Sequence, residues 1–128
     1  MGTASMIGIY NDDGSVTATY CHYDGYLSYN GQLLVQSYNT PETAKAVANA
    51  GYISGLTSDL DHDLRVAVHQ NEEPKVYNSV KTFLECGDKH AGADYLYLFD
   101  GEAWFYTDTY TPRNKRSFEE VEMNLETV

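Results

Sequence analysis

Along the first quarter of the chain, hydrophobic and polar positions alternate with the two-residue period of a strand. Met6 to Tyr10 and Ser15 to Tyr23 are rich in Ile, Val, Thr and Tyr and are separated by the turn cluster Asn11-Asp12-Asp13-Gly14, which predicts a β-hairpin. Pairing Tyr10 with Ser15 places Ile7 and Ile9 on the same face as Val16, Ala18 and Tyr20. A slip of one residue mates them with Thr17 and Thr19 instead, so the first register is expected.

The period then lengthens. Ser28 to Tyr38 sets Leu34 and Tyr38 four apart, with Gly31 and Val35 near the same stripe, as in a short amphipathic helix. Thr40-Pro41-Glu42 is a helix start, with Thr40 as N-cap, Pro41 where no amide donor is missed and Glu42 at the positive end of the dipole. Ala44, Val47 and Ala48 form the buried stripe of this helix and Gly51 its stop. Tyr52 to Asp63 reads as a loop with an acidic tip, and Leu64, Val66 and Val68 alternate with Arg65, Ala67 and His69 as a third strand. Asn71 to Lys75 is a loop or sheet-edge excursion, after which Asn78 or Ser79 caps a helix carrying Val80, Phe83 and Leu84 and ending near Gly87.

Asp100-Gly101 lies between Tyr95–Phe99 and Glu102–Thr107 and predicts a second hairpin. A two-residue turn there pairs Leu98 with Ala103 and Leu96 with Phe105, leaving Tyr95, Tyr97, Phe99, Trp104 and Tyr106 on one side of the ribbon. Ser117-Phe118-Glu119-Glu120 has the form of a capping box, and Phe118, Val121 and Leu125 give a C-terminal helix over residues 117–126. The expected fold is a single α+β domain over residues 6–128 in the order ββααβαββα. Its sheet is mainly antiparallel, with about five strands from two hairpins plus one strand, and its helices lie chiefly on one face. Met1–Ser5 read as a cloning leader ahead of Met6 and are set outside the expected fold.

Composition narrows the function classes. The chain has 128 residues, 42% of them hydrophobic, a size suited to one core. Eight Lys and Arg against nineteen Asp and Glu give a formal charge of −11, which disfavours nucleic-acid phosphates and anionic lipid as direct partners. No apolar run reaches the roughly 18 residues of a membrane span. Two cysteines, Cys21 and Cys86, without a Cys-x-x-Cys spacing, fit a reducing compartment and supply no zinc or redox motif. Tyrosine is the outlier, with twelve copies against four Phe and one Trp.

Tyr20-Cys21-His22-Tyr23-Asp24-Gly25-Tyr26-Leu27, preceded by Ile7-Gly8-Ile9 and Asp13-Gly14-Ser15-Val16-Thr17, resembles a segment of small, uncharacterised proteins of tailed bacteriophages and prophages. Those proteins read Tyr-Cys-His-Trp-Asp-Gly-Tyr-Pro at this place, so Tyr23 replaces a Trp and Leu27 a Pro. The likeness continues through Gly31, Leu33-Leu34, Thr40-Pro41-Glu42, Ala67-Val68-His69, Tyr77-Asn78-Ser79 and Ala93 to Phe99, from Met6 to about Asp108. The resemblance implies a phage accessory protein made in the host cytoplasm and carries over no activity.

Three constellations carry candidate chemistry. Cys21, His22, Asp24 and Tyr26 contain a thiol, a base and an orienting carboxylate, which would make a small enzyme or ligand sensor if they met in space. Neighbours on a strand point to opposite faces, however, so the Cys21 thiol and the His22 ring are expected to diverge, with Asp24 holding the turn. Asp59, Asp61, His62 and Asp63 resemble the start of a calcium loop, yet Leu64 and Gln70 stand where such a loop needs Gly and Glu, and a solvated acidic loop is expected, with no metal. His62, His69 and His90 lack ligand spacing.

The third constellation is the aromatic side of the last hairpin, where Tyr95, Tyr97, Trp104 and Tyr106 are contact candidates for a host protein or for a second copy in a homodimer. The opposing expectation is that the C-terminal helix roofs this face and makes it core. The function expected is therefore a non-enzymatic phage accessory protein without cofactors that binds a host protein or itself. The alternatives are the Cys21/His22/Asp24 enzyme or sensor and an acidic mimic of DNA that occludes a host nucleic-acid-binding protein.

Overall fold

Strands β1 (Ser5–Tyr10) and β2 (Val16–Cys21) form the first hairpin, but in the register that placed Ile7 and Ile9 opposite threonines. The computed structural model describes residues 3–89 and 91–122. Tyr10 pairs with Val16, Ile9 with Thr17 and Ile7 with Thr19. The turn takes one residue more than expected because Asn11 closes it: its amide donates to the Ser15 carbonyl at 2.8 Å, and its side chain reaches Ser15 Oγ and Thr17 Oγ1. Thr19 is satisfied in the interior, donating to the Ala48 carbonyl and accepting from the Gly51 amide. Ser5 belongs to β1, the Ala4 amide bonds Asp94 and the Thr3 carbonyl accepts from Gly25, so Thr3 to Ser5 are part of the fold and not outside it.

The sheet is mixed rather than mainly antiparallel. Among the described residues it has seven strands, in the order β3-β2-β1-β5-β6-β7 with β4 also on β2. The added members are β3 (Tyr52–Ile53), β4 (Lys75–Tyr77), β5 (Tyr95–Phe99), β6 (Trp104–Asp108) and β7 (Glu119–Glu120). β1 runs parallel to β5, and β2 parallel to β3. The 84 residues between β1 and β5 make a long connection, which returns β5 beside its parallel neighbour where a hairpin cannot.

Helices cover both faces of this sheet, not chiefly one. A π-helical turn over Leu27–Gly31 leads into α1 (Gln32–Ser37), and Thr40 caps α2 (Pro41–Ala48) as its sequence predicts. These pack over Ile7, Ile9, Cys21, Tyr97, Phe99 and Trp104. On the opposite face, Ser79 caps α4 (Val80–Cys86), whose Phe83 sits with Met6, Val16, Ala18, Leu96 and Leu98. Gly8 makes room for it: a Cβ there would lie 2.9 Å from Val16 and 3.2 Å from the Phe83 ring.

The expected strand from Leu64 to His69 is instead the helix α3 (Leu60–Arg65) followed by a turn. The Asp59 carboxylate accepts from the His62 amide, and Asp63, buried, accepts from the amide and hydroxyl of Thr57. Leu60 and Leu64, four apart, both reach the core, while Val66 and Val68 are exposed. Helical spacing therefore outweighs the two-residue alternation.

In the last hairpin Phe99 pairs with Trp104 and Leu98 with Phe105, so the loop has four residues instead of two. Asp100 explains it, its carboxylate accepting from the amides of Glu102 and Ala103 while Gly101 takes a φ of +108°. A shift of two residues preserves sides, and the rings remain segregated from Leu96 and Leu98 as expected.

The C-terminal helix is contradicted as far as Glu122. Glu119 and Glu120 pair with Tyr106 and Phe105, and Val121 donates to the Trp104 carbonyl. Phe118 stacks on Phe83 while Val121 joins the other core cluster, a division across the sheet that one helical face cannot make. The remainder of that predicted helix, including Leu125, lies outside the described residues. Arg116 fixes this return: its guanidinium, nearly buried, donates to the carbonyls of Leu84, Glu85, Thr109 and Thr111 and to both Asp88 carboxylate oxygens.

Candidate functional site

The thiol constellation does not assemble. Strand alternation carries Cys21 into the core under α1 and α2 and His22 to the surface, on opposite faces of the sheet. The Cys21 Sγ lies 3.4 Å from the Tyr23 carbonyl and 3.4 Å from Asn30 Nδ2, and burial pushes the thiol up from 9.0 to about 11. It is a protonated core side chain and not a poised nucleophile. Asp24 takes a φ of +59° at the turn, and Tyr26 is exposed with its ring 6.3 Å from that of Tyr29. The acidic loop likewise uses its carboxylates internally at Asp59 and Asp63, and no group of three or more metal-ligating side chains occurs among the described residues.

The aromatic side of the last hairpin divides into core and margin. Tyr97 and Trp104 are 0% and 2% exposed, which removes both as contact candidates. Among the described residues they are covered by α1 and α2, with Val121 of the C-terminal segment in the same cluster. Their polar ends are matched, since Tyr97 Oη donates to the Gly25 carbonyl at 2.7 Å and Trp104 Nε1 to the Tyr38 carbonyl at 2.8 Å. Tyr95 and Tyr106 are half-buried, with the Tyr106 hydroxyl 3.4 Å from Glu119.

A different set of rings lies outside. On the face opposite Cys21, Tyr20 and His22 project from β2 and its continuation, and Tyr20 Oη is 3.0 Å from His22 Nδ1. Parallel pairing sets Tyr52 of β3 beside Tyr20, with ring centroids 5.7 Å apart and planes tilted by 40°. His69, from the turn after α3, meets Tyr52 nearly at right angles, 4.9 Å away. Tyr23 closes the other end against His22 at 4.5 Å. The row therefore runs Tyr23, His22, Tyr20, Tyr52, His69, with His22, Tyr23 and His69 exposed and Tyr20 and Tyr52 half-buried.

This row opens into a cleft of about 620 Å³, lined by Tyr20, Tyr52, His69, Glu72, Glu73 and Lys75 together with Gly51, Asn71, Pro74 and Ala91. Its far wall is set by backbone contact. Gly51 has a φ of +92°, and a Cβ on it would stand 1.8 Å from the Glu72 carbonyl oxygen, so only glycine lets the 71–75 loop come this close. Asn71, at φ +59°, turns that loop back toward β4. Partial burial raises the Tyr20 hydroxyl above its ordinary value of 10.0, so it remains a neutral hydrogen-bonding group.

Sequence reasoning placed His22 and Tyr20 in the right segment and missed their partners. The sequence pattern predicts a loop at Tyr52 and a strand at His69, whereas β3 pairing brings Tyr52 to Tyr20 and the turn after α3 brings His69 to Tyr52. The excess of tyrosine is the available signal, and it does not say which of these rings meet. His90, next to the cleft residue Ala91, lies outside the described residues. No helix among the described residues is long and apolar enough to cross a membrane. Comparison with protein-family models, curated proteins and solved structures found no match to this chain.

Proposed function

We propose that the chain is a small acidic binding protein, a phage accessory protein of the kind its Tyr20–Tyr26 segment resembles, acting in the host cytoplasm by holding a protein partner in the ring-lined cleft. The observation that carries this reading is the row of packed rings of which Tyr20, Tyr52 and His69 line a cleft of about 620 Å³. Tyrosine offers large contact area with few rotatable bonds, and rings already packed on one another lose little further freedom on binding. A volume in the range of about 300–1,000 Å³ is that of a ligand pocket. The formal charge of −11 weighs against nucleic acid as the occupant. A thiol mechanism is disfavoured because Cys21 is enclosed and holds its proton.

Site-specific photocrosslinking tests this. Ala91 at the cleft, and Glu42 on α2 as a control on the other face, are each replaced by benzoylphenylalanine and irradiated in host lysate. Capture of one host protein from position 91 and not from 42, abolished by Tyr52→Ser in a chain that keeps its cooperative unfolding, is the expected result. Equal labelling from both positions, or labelling indifferent to Tyr52→Ser, overturns it. Capture of a second copy alone assigns the cleft to self-association.

A further inference from the structure

We infer that the group anchored in this cleft is a cation, a guanidinium or ammonium carried on a basic segment of the partner protein, an assignment that rests on the cleft being the binding site. Ring geometry is the first support. A flat base or sugar stacks on a single platform, but here Tyr20 and Tyr52 are tilted by 40° and Tyr52 and His69 by 88°, so the rings form the walls of a corner. A compact cation is the ligand that gains from such walls, because each tyrosine face within about 6 Å attracts it through the ring quadrupole. The hydrogen bond between Tyr20 Oη and His22 Nδ1 holds one wall in place before any ligand arrives.

Charge is the second support. Glu72 and Glu73 oppose Lys75 among the lining side chains, and the whole chain carries −11, so the field at the mouth attracts basic segments and repels acidic ones. Volume is the third. At about 620 Å³ the cleft exceeds one guanidinium and admits the residues flanking it. The exposed Asp59 and Asp61 line a separate pocket with the single ring of Tyr38, which makes no corner of two walls.

The test uses the full chain with labelled Tyr and His side chains, titrated with three peptides followed by NMR. Acetyl-Gly-Arg-Gly-Arg-Gly-amide is compared with the same peptide carrying citrulline, which keeps the shape without the charge, and with one carrying Glu. Expected are saturable shifts centred on Tyr20, Tyr52 and His69 for the arginine peptide, about tenfold weaker binding for citrulline and none for Glu. The Glu72→Gln/Glu73→Gln double variant weakens the arginine peptide and leaves citrulline unchanged. Equal binding of arginine and citrulline peptides, or shifts centred on Asp59–Asp61, overturns the cation assignment. If crosslinking from position 91 still captures a partner while the arginine peptide fails, the anchor is of another chemistry and the binding reading stands. Failure of both removes both.

Discussion

The indole N–H of Trp104 donates to the main-chain carbonyl of Tyr38 at 2.8 Å, across 66 residues of sequence. This bond ties β6 to the residue that ends α1, and it is buried. Trp104→Phe leaves the Tyr38 carbonyl without its donor and is expected to cost about 1–3 kcal/mol, and Trp104→Ala about 3–5 kcal/mol. Urea unfolding measures both. Changes within about 0.5 kcal/mol for Trp104→Ala would mark it as a surface ring after all.

Arg116 is the corresponding tie on the other face. Its guanidinium collects four carbonyls and the Asp88 carboxylate at the end of α4, a fork that a lysine ammonium cannot reproduce. Arg116→Ala takes the donor from four carbonyls and leaves Asp88 paired with Arg113 at 3.4 Å, and is expected to lose about 3 kcal/mol, with Arg116→Lys recovering only part of it. Full recovery by lysine in denaturant titrations would show that charge alone matters there.

Alkaline conditions should destabilise the chain. Burial pushes Cys21 up to about 11 and Tyr38 up to about 12, and raises Tyr97 as well. Each group holds its proton more tightly folded than unfolded, so its contribution is complete below the unfolded value and is lost as pH rises through the folded one. Urea midpoints are therefore expected to be level near about pH 7 and to fall from about pH 9 upward. A midpoint unchanged at about pH 10.5 would contradict the burial of these hydroxyls and this thiol.

Gly51→Ala should damage the cleft before it damages the core. The added methyl meets the Glu72 carbonyl, and the positive φ is unfavourable to alanine. Hydrogen exchange is expected to rise in residues 69–75, with β1 and β5 amides still protected. Uniform loss of protection would mean that the 71–75 loop and the core unfold as one unit.

Much of the local structure was legible because short-range chemistry dictates it. Thr40-Pro41 and Ser79 open their helices where the sequence says, since a cap needs only its own next turn. The side-to-side sorting of rings and aliphatics on β5 and β6 also follows from the sequence, because a strand alternates whatever its register. The turns depart from the pattern where one side chain changes the loop length, Asn11 in the first hairpin and Asp100 in the second.

What the sequence determined by itself, then, is where two of the helices start, which residues of the last ribbon share a side, and that the chain is acidic and rich in tyrosine. Tertiary structure alone decided that both faces of the sheet are covered, that Tyr97 and Trp104 are core, and that Tyr52 meets Tyr20 on one side and His69 on the other. The reason is physical. Alternation assigns a ring to one side of a ribbon, but whether that side meets water depends on which distant elements pack over it, and long-range pairing such as β1 with β5 and β2 with β3 leaves no mark within a single segment.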